Sequence, residues 1–286
     1  MCTTGTVDEL RIGPIAMPPR HQRPRHRQML NLTVLHRERV SPHFMTITLS
    51  GDDVQHLEQN GYDQAGRLFF AGPGQHEVVF PSSEKWMLQY SLQPGRRRPR
   101  VRTYTIRRFR PQMSAFDIEI CVHEKQAADT AAPGNAWALA AEPGDTVSFL
   151  DEGYGFLPTP GSAWQLLVGD ESALPAILAI LERSANTLPA EVFLEVPVGE
   201  DIRQEITAPA DTNIHWLPRN APDMRPGTLA LQAVRDAHLP SGPYYAWTAG
   251  ESSLVTGIRR HLINDRDVPR SDIAFRGYWK HGRASL

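Results

Sequence analysis

The run Arg102-Thr103-Tyr104-Thr105-Ile106-Arg107 sets a cation, an aromatic ring and hydroxyls at the alternating spacing of a β-strand. Such a strand can stack Tyr104 on an isoalloxazine ring, offer Thr103, Thr105 and backbone groups to its polar edge, and bring Arg102 to a pyrophosphate. Ordinary cross-strand pairing of a surface strand accounts for the same residues equally well. Further on, Ala132-Pro133-Gly134-Asn135-Ala136-Trp137-Ala138 opens an Ala-rich helical stretch that stops at Pro143-Gly144-Asp145. Asn135 reads as its N-cap, and the small Gly134 and Ala136 would let a phosphate approach the unpaired N–H groups of the first turn. Asp117 and His123 fall on one face of the strand before it. Each reads as a structural hydrogen-bonding residue or, for His123 with equal weight, as a cofactor contact.

A second group of motifs lies at strand ends. Trp164-Gln165-Leu166-Leu167-Val168 runs into Gly169-Asp170-Glu171-Ser172 and a helix with Pro175 in its first turn. Ligands of open α/β sheets sit outside the carboxyl ends of strands, so Asp170, Glu171 and Ser172 are expected to border a site. The glycine fingerprint G-x-G-x-x-G is missing there, and Gly153-Tyr154-Gly155 is followed by Pro158 and Pro160 rather than by a helix. Tyr244 to Ala249 repeats the pattern, ending in Gly250-Glu251 before a helix with Arg259 and Arg260, so the two strand ends point to one shared crevice. Glu200 and Asp201 follow another strand, where an acid can pair with a ribose 2′-OH. The chain closes on Phe275-Arg276-Gly277-Tyr278-Trp279-Lys280-His281-Gly282, with Lys280 and His281 expected beyond the last strand.

The elements that must hold these residues divide the chain in three. Residues 1–28, with Pro14, Pro18, Pro19 and Pro24, read as a flexible arm. Residues 29–157 carry short β-rich runs at Leu30–Leu35, Phe44–Leu49, His76–Phe80, Val101–Arg107, Ala115–Val122 and Thr146–Leu150, separated by Gly and Pro turns. They predict an antiparallel β-barrel. Residues 158–286 alternate strands with helices and predict an α/β domain with a mostly parallel sheet.

Composition narrows the chemistry. The 286 residues carry a formal charge of -2, and of 30 basic residues only Lys85, Lys125 and Lys280 are lysine. Arginine clusters at Arg20–Arg27 and Arg96–Arg102 invite a nucleic-acid reading, but without a basic total or repeated aromatic platforms they read as solvated tails and turns. Two cysteines, Cys2 and Cys121, are too few for a disulfide framework, a four-cysteine zinc site or a cysteine-ligated iron–sulfur cluster. No window has the apolar length of a membrane span, and the acidic N-terminus does not read as a signal peptide, so the expected location is cytoplasmic.

Taken in order, Arg102 to Arg107, the Pro-Gly-Asn-Ala-Trp-Ala segment, Gly169 to Ile177, Trp247 with Gly250-Glu251, and Gly277-Tyr278-Trp279-Lys280 resemble the siderophore-interacting protein family of flavin-dependent ferric-siderophore reductases, within the ferredoxin-reductase-like group. The resemblance spans roughly residues 30–282. It implies a FAD-binding barrel, a nicotinamide-binding-like domain and a non-covalent FAD between them. By that resemblance Arg102, Thr103, Tyr104 and Thr105 would cradle the flavin, Gly134, Asn135, Ala136 and Trp137 would meet the pyrophosphate, and Asp170, Glu171 and Ser172 would face the flavin side of the crevice. Trp247, Glu251 and Arg259 would shape the approach of the electron donor, and Lys280 would attract an anionic ferric siderophore.

The implied reaction is reduction of a ferric siderophore with release of ferrous iron, using NADH, NADPH or a reduced ferredoxin. It needs no acid, base or nucleophilic side chain. This chain departs from the family in two segments. Ala132-Pro133-Gly134-Asn135 replaces the usual Gly-Pro-Ala-Ser or Thr, and His76-Glu77-Val78 stands where the family usually reads His-x-Lys. Val78 keeps two alternatives open: a flavin reductase or electron-transfer component for another enzyme, and a non-catalytic siderophore-binding module.

Overall fold

The computed structural model describes residues 21–75, 77–123, 133–184 and 187–282. In its first half, alternation of apolar and polar residues closes a sheet on itself. Strand β1 (Met29–Ser41) turns Leu30, Leu32 and Val34 inward and polar residues outward. With β2 (Phe44–Ser50), β3 (Ala65–Phe70), β4 (Arg100–Arg110), β5 (Ala115–Cys121) and β6 (Thr146–Gly153) it forms a closed barrel in the order β1-β2-β5-β4-β3-β6. Every neighbouring pair is antiparallel, so no edge is left open. Leu68, Phe70, Phe116 and Phe149 fill the interior.

Two expectations need correction here. The strand at His76–Phe80 does not form: residues 77–80 are irregular, tied by the Val79 N–H on the Arg97 carbonyl to the turn that precedes β4, and His76 lies outside the described residues. The strand that completes the barrel is β3, whose near-continuous burial removes the alternation that would have revealed it. Between β3 and β4 the chain makes a long excursion carrying the short helix α1 (Trp86–Leu92).

The described end of the expected arm is fixed rather than free. Gln22 pairs with Tyr154 through both backbone hydrogen bonds, and Arg27 donates to the Asp151 carbonyl and pairs with Glu152. The remainder of the arm, residues 1–20, lies outside the described residues.

Helix α2 (Pro133–Ala140) packs Trp137 and Ala138 into the barrel core. The second half alternates as expected: β7 (Trp164–Gly169), α3 (Leu174–Arg183), β8 (Ala190–Val196), β9 (Asn213–Pro218), α4 (Thr228–Asp236), β10 (Tyr244–Glu251), α5 (Ser252–Asn264) and β11 (Ile273–Trp279). The five strands are all parallel, in the order β11-β10-β7-β8-β9.

Helix α3 is apolar on nearly every face because it lies between this sheet and the barrel. Polar groups fix the junction. The Arg183 guanidinium donates to the carbonyls of Gly61, Tyr62 and Ile106, and Arg107 pairs with Glu182 at 2.6 Å. Buried Asp201 accepts from Ser41 Oγ, the His43 N–H and His43 Nδ1. Its carboxylate is therefore committed to the barrel, which overturns the reading of Asp201 as a ribose partner.

Candidate flavin site between barrel and sheet

Strand β4 carries the first group of candidates along the side of the barrel facing α2. A Cβ on Gly134 would lie 2.0 Å from Tyr104 Oη and 3.6 Å from Arg102 Cγ, so both side chains cross directly over the first turn of α2. Only glycine lets them approach that closely. Arg102 donates to the Val101 carbonyl at 2.7 Å, Thr103 is exposed, and Thr105 is buried with its side chain hydrogen-bonded to Tyr278 of β11. Burial pushes the phenols of Tyr104 and Tyr278 far up, only partly offset at Tyr104 by the Arg102 charge, so both stay protonated across the neutral range.

Asn135 sits inside the first turn of α2, not at its N-cap as expected. Its side-chain Oδ1 accepts from the His123 N–H at 2.7 Å and its Nδ2 donates to the His123 carbonyl at 3.1 Å, which staples the chain leaving β5 to α2. His123 lies just past β5, with Nε2 3.8 Å from Cys121 Sγ and its ring 6.2 Å from that of His43. Burial lowers the His123 pKa and raises that of the Cys121 thiol, leaving a neutral imidazole beside a neutral thiol.

Two candidates in this group take structural roles. Asp117 accepts from Thr48 Oγ1 at 2.8 Å and from Arg110 Nε at 2.9 Å on both oxygens, an ion pair on the barrel wall. Trp137 is 7% exposed and packs at a tilt against Phe70, 5.0 Å between ring centroids, as part of the core. Ala136 lies half-buried beside it on α2.

The carboxyl ends of the parallel strands hold the second group, and here the carboxylates are internal. Asp170 is fully buried and accepts from Ser172 N and Oγ at 2.9 and 2.5 Å, Glu251 N at 2.6 Å and Trp279 Nε1 at 3.3 Å. Burial, with Glu171 next to it, raises its pKa to about 7. Gly250 has φ 130°, and a Cβ there would meet the Asp170 carboxylate at 2.7 Å, so the turn requires glycine. Glu171 and Glu195 both pair with Arg219, at 2.8 and 2.6 Å. Glu195 also accepts from the backbone of Gly227, Leu229 and Ala230 at the start of α4. Glu251 caps α5 through Ser253 N and binds Arg225 and the His281 N–H. These bonds hold the Glu251 carboxyl below the usual range despite its burial.

Of the donor-side candidates, Trp247 lines a small cavity with Asp63, Gly155 and Arg276. Trp247 is 3% exposed, and its Nε1 donates to Asp63 Oδ2 at 3.2 Å. Asp63 also accepts from the N–H groups of Gly155 and Phe156, which fixes the chain between barrel and sheet. Arg259 packs over the Phe275 ring at 4.8 Å, on the face of β11 opposite Tyr278. Lys280 is exposed immediately after β11. Sequence reasoning missed Asp63, Arg219 and Tyr278. The first two belong to no motif, and Tyr278 acquires meaning only when β11 is set beside β4.

Comparison with known proteins decides the family. A model of a siderophore-interacting FAD-binding domain matches residues 33–154, and a siderophore-interacting protein model matches residues 162–282. The chain belongs to the siderophore-interacting protein family. It is 31% identical over 260 residues to ferric vibriobactin reductase ViuB of Vibrio cholerae, covering 88% of this chain and 89% of that one. An NADPH-dependent ferric-chelate reductase of Escherichia coli is 28% identical over 252 residues, covering 87% and 91%. A siderophore utilization protein from T. fusca superposes with a TM-score of 0.76 at 29% identity, covering 91% of this chain and 95% of the other.

The family member described here is an FAD-dependent oxidoreductase of the ferredoxin-reductase-like fold. Its own residues fit that cofactor. From one face of β4, beside the first turn of α2, Tyr104 offers an aromatic ring and Arg102 a cation, groups suited to a flat ring and a pyrophosphate.

Proposed function

We propose that this protein reduces a ferric siderophore and thereby releases ferrous iron, with FAD held between barrel and sheet. The observation that carries the reading is Tyr104 and Arg102 of β4 laid against the first turn of α2, with Thr105 on the other face of the strand bonded to Tyr278 of β11 and Lys280 exposed two residues further on. When bound, FAD accepts electrons in pairs and hands them on singly, which matches a two-electron donor to a one-electron ferric acceptor. The protein binds and orients: Arg102 neutralises pyrophosphate charge, Gly134 leaves the room that seats Tyr104 against the first turn of α2, and Tyr104 and Tyr278 supply hydroxyl groups. Lys280 draws in an anionic ferric complex. Oxygen donors that grip ferric iron hold ferrous iron less tightly, so reduction leads to release.

NADH, NADPH and reduced ferredoxin are the candidate donors, with NADPH favoured by the Escherichia coli relative. Glu77, which adds an anion beside Val78, is paired with Arg97 at 2.9 Å.

The test is an anaerobic visible spectrum of the FAD-loaded protein. Addition of NADPH is expected to bleach the flavin bands, and addition of a ferric siderophore to restore them while a ferrous chelator develops colour. Lys280→Glu is expected to raise the KM for an anionic siderophore several-fold with kcat unchanged. Bands that recover only with a protein acceptor would reject the reading.

A further inference from the structure

The excursion between β3 and β4 differs from the rest of the surface in two respects. Of the eight exposed large hydrophobic residues among those described, Val79, Met87, Leu88 and Leu92 belong to it, the last three at 66–77% exposure on α1. Helix α1 buries none of its residues. It is nevertheless held in place: Trp86 packs edge-on to Phe69 at 5.3 Å, and Arg67 lies over the Trp86 ring at 5.0 Å. At the far end of the helix, Tyr90 carries the Arg98 guanidinium at 5.0 Å.

The second difference is charge. Residues 71–100 contain Lys85, Arg96, Arg97, Arg98 and Arg100 against Glu77 and Glu84, a net +3, whereas the whole chain is -2 and the remainder therefore -5. Glu77 is already engaged by Arg97, and Glu84 lies 3.9 Å from Arg27. Lys85, Arg96 and Arg100 are exposed in the same excursion as the protruding Met87, Leu88 and Leu92.

A small ligand recognising apolar groups needs a concave site, and neither the cavity lined by Asn60, Gly61 and Tyr62 nor the one lined by Trp247 with Phe275 includes a residue of this excursion. Apolar side chains that project from a short anchored helix in a segment of net positive charge suit a bilayer surface. There no shape match is needed, and anionic headgroups answer the charge. We propose that the β3–β4 excursion docks the protein on an anionic lipid bilayer. Met87, Leu88 and Leu92 enter the headgroup region, and Lys85, Arg96 and Arg100 face the phosphates. Because Arg100 lies two residues before Arg102, the docked face adjoins the flavin cradle.

Co-sedimentation of the FAD-loaded full chain with vesicles tests this. Binding is expected to phosphatidylglycerol–phosphatidylcholine vesicles and not to phosphatidylcholine alone, and it should weaken as salt is raised. Leu88→Ser/Leu92→Ser is expected to lower the partition coefficient at least tenfold. Arg96→Gln or Arg100→Gln should each lower it about fivefold, which corresponds to ~1 kcal/mol per cation near an anionic surface. Reduction of a soluble ferric chelate should be unchanged in Leu88→Ser/Leu92→Ser, which separates this proposal from the reductase reading. Equal binding to neutral vesicles, no binding to anionic vesicles at low salt, or anionic binding insensitive to the leucine changes would overturn it. So would capture of an acidic protein by the same patch without lipid binding.

Discussion

The barrel rim and the strand ends of the α/β domain both carry motifs of ligand-binding type, yet they treat their polar groups in opposite ways. On the rim, Tyr104, Arg102 and Thr103 remain partly or fully exposed, with Tyr104 lying against the helix turn in the space that Gly134 leaves. At the strand ends, Asp170, Glu171, Glu195 and Glu251 are buried, and each has its oxygens assigned to backbone N–H groups, arginines or neighbouring side chains. Carboxylates at helix starts satisfy the same orphan donors that would otherwise hold a phosphate. One region is therefore open to a ligand, while the other is a rigid frame that fixes β11 and the chain beyond it relative to the barrel.

The frame can be broken most severely at Arg219. Arg219→Met leaves Glu171 and Glu195 buried without their cation, and the expected loss of stability in denaturant unfolding is about 3–5 kcal/mol. A loss below about 1 kcal/mol would show that the frame tolerates its unpaired charges and would erase the contrast.

Asp170 sharpens the comparison through pH. Its folded pKa, raised to about 7, lies above the unfolded value near 3.9, so between those values the native state holds a proton that the unfolded state has lost. Its contribution to stability is then fully present below about pH 4, declines by up to about 1.4 kcal/mol per unit as pH rises, and is gone above about pH 7. Unfolding free energy of the natural protein relative to Asp170→Asn, measured from pH 4 to 7, should fall along that slope. A flat difference would mean that the carboxylate is ionised throughout.

The rim responds through ligand affinity instead of stability. Gly134→Ala drives a methyl group to 2.0 Å from Tyr104 Oη, and the ring can yield only by leaving its position over α2. FAD affinity, followed by quenching of flavin fluorescence, should drop about tenfold, equivalent to ~1.4 kcal/mol, while the melting temperature of the apoprotein stays within a few degrees. Unchanged affinity would remove Tyr104 from the cradle.

The architecture was largely legible in the residues. Alternation marked five of the six barrel strands, and the switch to a helix–strand rhythm marked all five strands of the parallel sheet. β3 escaped because a strand buried on both faces loses the period-2 signal, and Glu77–Phe80 read falsely as a strand because β-prone residues can also lie in an irregular segment pinned by one hydrogen bond. Among the candidates, the spacing put Arg102 and Tyr104 on one face of β4 and Gly134 in the first turn of α2, as the structure has them, whereas Thr105 falls on the opposite face of the strand.

What the sequence could not decide was which polar residues stay available. Asp117, Trp137, Trp247, Glu171 and Glu251 look like site residues by type and position, but their partners Arg110, Phe70, Asp63, Arg219 and Arg225 are distant in the chain or follow no motif. Residue type and period determine which element forms and which face is apolar. Whether a carboxylate or an indole is spent inside the fold or left for a ligand depends on long-range pairing and on exclusion of water, and only the packed structure fixes those.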